Sequence, residues 1–138
     1  MKKVLVACDG SEPSNRALQF VLDLPAAARP AEIHLLNVQE WPPMYSEYMT
    51  PMLINDLRES QRACGHNVME QAAHRVASAQ GSCRIHVVLG APATAICEQA
   101  DKLGCDHIVM GARGLGAIKG LLFGSVVTRV LHLCKQPV

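Results

Sequence analysis

Hydrophobic and polar positions along this chain follow two rhythms. Short, mostly apolar runs alternate with longer stretches in which apolar residues return every three or four positions. Residues 4–8 (Val4, Leu5, Val6, Ala7, Cys8) form one uninterrupted run. A strand buried on both faces of a parallel sheet reads this way. Asp9, Gly10 and Ser11 end it. Ser11 or Ser14 can cap a following helix whose first turn tolerates Pro13. Ala17, Leu18, Val21 and Leu22 mark one face of that helix, and residues 25–30, bounded by prolines, close it. Residues 33–38 predict a second strand. Leu53, Leu57, Cys64, Val68, Ala72 and Val76 carry a long amphipathic helix to about residue 79, with Gly81 as its stop. Gly65 falls inside that helix at a cost of about 1 kcal/mol relative to Ala. Residues 84–89 predict a third strand. Gly90, Ala91 and Pro92 open a helix with Ile96, Cys97, Ala100 and Leu103 inward. Residues 106–110 predict a fourth strand and residues 125–134 a last helix. Strands alternating with helices predict an α/β fold, an open parallel sheet sandwiched in three layers by right-handed crossovers.

Composition adds bounds. At 138 residues the chain is expected to be one domain, 1–138, long enough for a sizeable core. Apolar residues make up 49% and aromatics only 4%, so the core must be aliphatic. A net charge of +1 supplies no long-range field for nucleic acid or anionic lipid, and neither is expected as a partner. No apolar run reaches transmembrane or signal-peptide length. The six cysteines contain no Cys-x-x-Cys and sit mostly in apolar stretches. They are expected to be reduced, structural residues of a cytoplasmic protein. The histidines at 34, 66, 74, 86, 107 and 132 lack metal-ligand spacing and read as surface or partly buried side chains. The 41–48 stretch holds the only Trp and both Tyr. Its aromatics suit a core edge or a subunit surface better than a ligand stack.

Residues 106–128 carry the candidate chemistry. A strand ends at Met110, five glycines follow within fourteen residues (111, 114, 116, 120, 124), and helical spacing resumes at Ser125. Glycine count alone equally fits a flexible loop. The order strand, glycine-rich loop, helix start is also how a backbone cradles phosphate, with free N–H groups and the positive dipole end at Gly124 and Ser125. Neither a P-loop nor a Rossmann fingerprint is present, since Ala117 follows Gly116 and Lys119 follows no glycine. Arg113 and Lys119 are either ordinary solvated loop charge or compensation for phosphates. No nucleophile–base pair is evident, and no catalytic residue is assigned.

The spacing that is present is Gly111-x2-Gly114-x9-Gly124-Ser125. It resembles the ATP-binding motif of the universal stress protein family. The opening run with its Asp9-Gly10-Ser11 turn, and the strand before Gly111, fit the same pattern. The resemblance implies an adenine-nucleotide alpha-hydrolase-like sheet of order 3-2-1-4-5. The chain stops at Val138, so the fifth strand is expected to be short or missing. It implies a site built from Ala7, Asp9, Val38, Met110, Gly111, Arg113, Gly114, Gly124, Ser125 and Val126. There Asp9 lies by ribose and phosphates, suited to a bridging Mg²⁺, and backbone around Val38 meets adenine. The implied function is an ATP-binding, nucleotide-responsive regulatory module of stress response, a homodimer with an unknown protein partner and not an enzyme. The alternatives are a slow ATPase or nucleotide-transfer enzyme using the same crevice, or a non-catalytic dimeric interaction protein.

Overall fold

A computed structural model of the chain describes residues 1–40, 49–114 and 123–138. Expectations placed on the 41–48 aromatics, Gly116, Lys119 and Gly120 lie outside the described residues. In chain order the elements are β1 (Lys3–Ala7), α1 (Glu12–Asp23), β2 (Glu32–Gln39), α2 (Pro51–Ser78), β3 (Cys83–Leu89), α3 (Pro92–Leu103), β4 (His107–Met110) and α4 (Ser125–Leu133). Among the described residues the strands form one parallel sheet in the order β3-β2-β1-β4. The register pairs Val6 of β1 with Leu35 of β2 on one side and Val109 of β4 on the other. Beyond β4, the Ile108 N–H donates to the Pro137 carbonyl at 2.9 Å. The tail thus lies where a fifth strand would pair.

The alternation along β1 sets the layers. Val4 and Val6 point into a core with Leu18 and Val21 of α1 and Met69 and Val76 of α2. Leu5 points the other way, to Leu36, Ile108, Ile96 and Ala100 of α3, and Val130 of α4. Helices therefore cover both faces, as the apolar run required. Ser11 caps α1, its Oγ accepting from the Ser14 N–H at 3.3 Å. Thr50 caps α2 in the same way through the Leu53 N–H. The left-handed residue at the end of α2 is Gln80 (φ 57°), not the glycine expected as its stop; Gly104 (φ 66°) plays that part after α3.

Three expectations need correcting. The cysteines are not all reduced, because Cys97 and Cys134 form a disulfide with their Cα atoms 5.1 Å apart. They are 37 positions apart in sequence, but α3 and α4 lie side by side on one face, which brings Cys97 to the residue that ends α4. Cys8, Cys64, Cys83 and Cys105 stay free. Burial pushes the Cys8 thiol up to about 12, which fits the inert role expected of it. A cytoplasmic location inferred from reduced thiols loses that support. What stands is that no helix among the described residues is long and apolar enough to cross a membrane. His34 is not at the surface either. It is 1% exposed, with Nδ1 2.9 Å from Nε2 of His86 and the two rings stacked across β2 and β3. Burial, and then the charge of His34, lowers the pKa of His86.

The third correction concerns Gly65. It was expected as a tolerated weakness in a helix, but it is where α2 touches the sheet. A Cβ there would lie 2.7 Å from Asn37 Oδ1 and 2.7 Å from Val87 Cγ1. Asn37 cannot swing aside cheaply, since its Nδ2 donates to the Cys8 carbonyl at 2.7 Å and its Oδ1 accepts from Gln39 at 2.7 Å. At an exposed helix position Gly→Ala stabilises by about 1 kcal/mol. Here overpacking reverses the sign, and Gly65→Ala is expected to cost about 1–3 kcal/mol in chemical denaturation. A stabilised Gly65→Ala protein would show that α2 does not approach the sheet this closely.

Candidate nucleotide site

The carboxyl ends of β1, β2 and β4 open into one cavity of about 500 Å³. Its position follows from the strand order. After β1 the chain turns to β2 on one side, while β4 arrives on the other, so the loops leaving β1 and β4 diverge and leave a crevice between them.

The floor at β1 is a tight polar turn. The Asp9 carboxylate Oδ1 accepts from the Ser11 N–H at 2.9 Å, and Gly10 takes φ 82° to make the turn. The Ser14 Oγ bridges backward, accepting from the Asp9 N–H at 3.2 Å and donating to the Ala7 carbonyl at 3.4 Å. Asn37, buried in β2, ties that end of the sheet to Cys8 and holds Gln39.

The wall at β4 is the glycine segment. Gly111 leaves the strand against the first turn of α1. A Cβ there would come within 2.6 Å of the Pro13 carbonyl carbon and 2.8 Å of the Ser14 nitrogen. Gly114 faces Asp9, and a Cβ on it would lie 2.6 Å from Asp9 Oδ2. The segment returns at Gly124, whose N–H donates to the Ala112 carbonyl at 2.8 Å. This amends the expectation that Gly124 offers its N–H to a ligand: that donor closes the loop instead. Gly124 also has extended backbone (φ −71°, ψ 161°), and a Cβ on it would meet only ordinary contacts, the nearest at 3.5 Å from the Arg113 Cα. Its lack of a side chain leaves space rather than satisfying a torsion. α4 starts immediately afterwards without a side-chain cap. The first-turn N–H groups of Ser125, Val126 and Val127 have no acceptor within the helix.

All ten residues singled out in the sequence line this cavity: Ala7, Asp9, Val38, Met110, Gly111, Arg113, Gly114, Gly124, Ser125 and Val126. The polar wall of glycine backbone and helix start lies at the β4 end. Val38 lies two strands away at the β2 end, about 10 Å across at normal strand spacing. Sequence reasoning missed Ser14, Asn37, Gln39, Gln61 and, on α3, Pro92 and Ile96. Asn37 gave a signal, as a polar residue in an apolar strand. Gln61 gave none, because it sits among the polar residues of α2. Its Nε2 donates to the Glu40 carbonyl at 2.7 Å, anchoring the chain as it leaves β2. Among the described residues, no group of three His, Cys, Asp or Glu is placed to hold a metal ion, and no histidine lines the cavity.

Comparison with known proteins places this geometry in context. The universal stress protein family profile matches residues 1–138. The universal stress protein YxiE of Bacillus subtilis is 30% identical over 142 residues, covering 99% of this chain and 95% of its own. Among solved structures, hypothetical protein MJ0577 superposes with a TM-score of 0.86 at 28% identity, over 99% of this chain and 92% of its own. A universal stress protein family protein from Arabidopsis thaliana, solved with AMP bound, superposes with a TM-score of 0.69 at 25% identity, over 100% of this chain and 89% of its own. With its whole length matched by the profile and its parallel sheet shared with these relatives, the chain belongs to the universal stress protein family.

Proposed function

We propose that this protein is a nucleotide-responsive regulatory module that holds ATP in the cavity at the carboxyl ends of β1, β2 and β4. The observation that carries this reading is the pairing of two unlike walls across one crevice. At the β4 end, backbone approaches closely and an uncapped helix directs N–H groups and a positive dipole outward. At the β2 end, Val38 offers apolar surface and strand-end backbone suited to a base. The AMP bound to the Arabidopsis relative supports an adenine nucleotide as occupant.

Asp9 decides how the phosphates are held. Its carboxylate lies against Gly114, on the glycine-backbone side of the cavity. Mg²⁺ suits that position, since it takes one or two carboxylates and completes its shell with phosphate oxygens and water. The described residues need supply no ligand beyond Asp9. Backbone N–H groups and a helix dipole bind ground-state phosphate as well as a transition state, and uniform binding does not raise kcat. A wall of this kind suits retention of nucleotide better than turnover.

Thermal denaturation with ATP, a non-hydrolysable ATP analogue and GTP tests the reading. ATP at a hundredfold excess over its Kd is expected to add about 2.7 kcal/mol of stability, the analogue the same, and GTP far less. No shift with ATP, or an equal shift with GTP, would contradict it. A shift with ATP that decays as phosphate is released, but persists with the analogue, would favour the enzyme alternative. Gly124→Val then locates the phosphates. Extended backbone accepts valine at this position, so the unliganded fold is expected to keep its melting behaviour. The added methyls enter the space between Arg113 and the α4 start, and the Kd for ATP is expected to rise about tenfold or more, or about 1.4 kcal/mol. Unchanged affinity would place the phosphates elsewhere.

A further inference from the structure

The Cys97–Cys134 disulfide joins the two helices that wall one side of the cavity. Ile96, the neighbour of Cys97, lines the cavity from α3, and Ser125 lines it from the start of α4. The covalent loop between the two sulfurs contains β4, the glycine segment and all of α4. The whole phosphate-side wall is therefore enclosed by one bond.

Apart from the disulfide, α4 is held by Val130 in the core and by Val126 packed against it. It is nine residues long, shorter than a helix that persists alone, and it buries only Val127 and Val130. Leu131 and Leu133 are each 51% exposed. Past Cys134 the tail is held by Gln136 Nε2 donating to Asp101 Oδ1 of α3 at 2.6 Å and by the Ile108–Pro137 backbone bond. Both contacts lie past the disulfide in the chain and not along α4 itself. α1 and α2, on the opposite face, are seated by continuous apolar packing without a covalent link. Both half-cystines are partly buried at the edge of the core, more open to solvent than Cys8 and Cys105, which are buried.

We infer that the Cys97–Cys134 disulfide is a redox-sensitive clasp on the nucleotide cavity, with tight binding in the disulfide form and weak binding once a small or protein dithiol has reduced it. This rests on the nucleotide reading of the cavity. A thiolate of the dithiol attacks either sulfur and forms a mixed disulfide, and its second thiol displaces the bound cysteine. The protein gains two electrons and two protons as two thiols, and the reductant leaves as its own disulfide. A disulfide oxidant reverses the exchange. With the clasp open, α4 samples more positions, and nucleotide must restore the order it previously found in place. Linkage requires the reciprocal effect: bound nucleotide shifts the dithiol–disulfide equilibrium toward the disulfide by the same factor.

The test uses the whole chain, oxidised and after reduction with dithiothreitol, with intact mass confirming that the forms differ by two hydrogens. Titration calorimetry with ATP is expected to give a Kd about fivefold or more weaker in the reduced protein. Cys97→Ser/Cys134→Ser is expected to match the reduced form under oxidising conditions, and circular dichroism identifies whether that variant is folded. If it is not, folded reduced wild type decides in its place. Saturating ATP is expected to raise the disulfide-to-dithiol ratio in a dithiothreitol redox buffer by the same factor. Equal affinity in both forms would overturn the clasp and leave the nucleotide reading intact. Binding by neither form would overturn both. A purified protein with all six thiols free under air would also overturn the clasp.

Discussion

The structure depends on the complete burial of β1. Val4, Leu5 and Val6 have no exposed surface, and they alternate between two separate cores. A strand of this kind needs hydrogen-bonded neighbours on both edges and helices on both faces. β2 and β4 supply the edges, α1 and α2 one face, and α3 and α4 the other. The cavity is a consequence of that demand. With β1 in the middle and connections leaving to opposite sides, the loops after β1 and β4 separate and helix N-termini surround the gap. The site therefore rests on the most deeply buried strand, through Asp9 and the Ser14 hydroxyl in the first turn of α1.

The features legible in the sequence were those set by local pattern. The β1 run, the cap at Ser11 or Ser14 and the opening of α3 at Pro92 each follow from a few adjacent residues. The crevice residues were named through the family resemblance that the glycine spacing carries, and the strand order brings them to one cavity. What was hidden depends on which elements become neighbours. Cys97 and Cys134 look like two more apolar thiols until α3 and α4 are placed side by side. His34 looks like a half-exposed strand residue until β3 places His86 against it. Gly65 reads as a flaw in a helix until α2 is laid on Asn37 and Val87.

The reasons for individual glycines were less legible than their positions. Gly111 and Gly114 were expected to make room for phosphate. What the structure gives them is different: Gly111 lets β4 pass the first turn of α1, and Gly114 makes room for the Asp9 carboxylate. Gly124 needs no unusual torsion and uses its N–H to close the loop on Ala112. The backbone donors left open at this end of the cavity are thus those just beyond it, Ser125 to Val127. That makes the orientation of α4 the sensitive quantity in the site.

Backbone amide spectra during titration with ATP and Mg²⁺ address the central claim most directly, that this cavity is the nucleotide site. The largest shifts are expected at Gly114, Ser125, Val126 and Val127 at the phosphate end, and at Val38 and Gln39 at the base end. Ala31, Gln80 and Gly81, which line a smaller hollow at the opposite end of the sheet, are expected to stay unchanged. Shifts confined to that hollow, or no saturable shifts at Ser125 to Val127, would contradict the account.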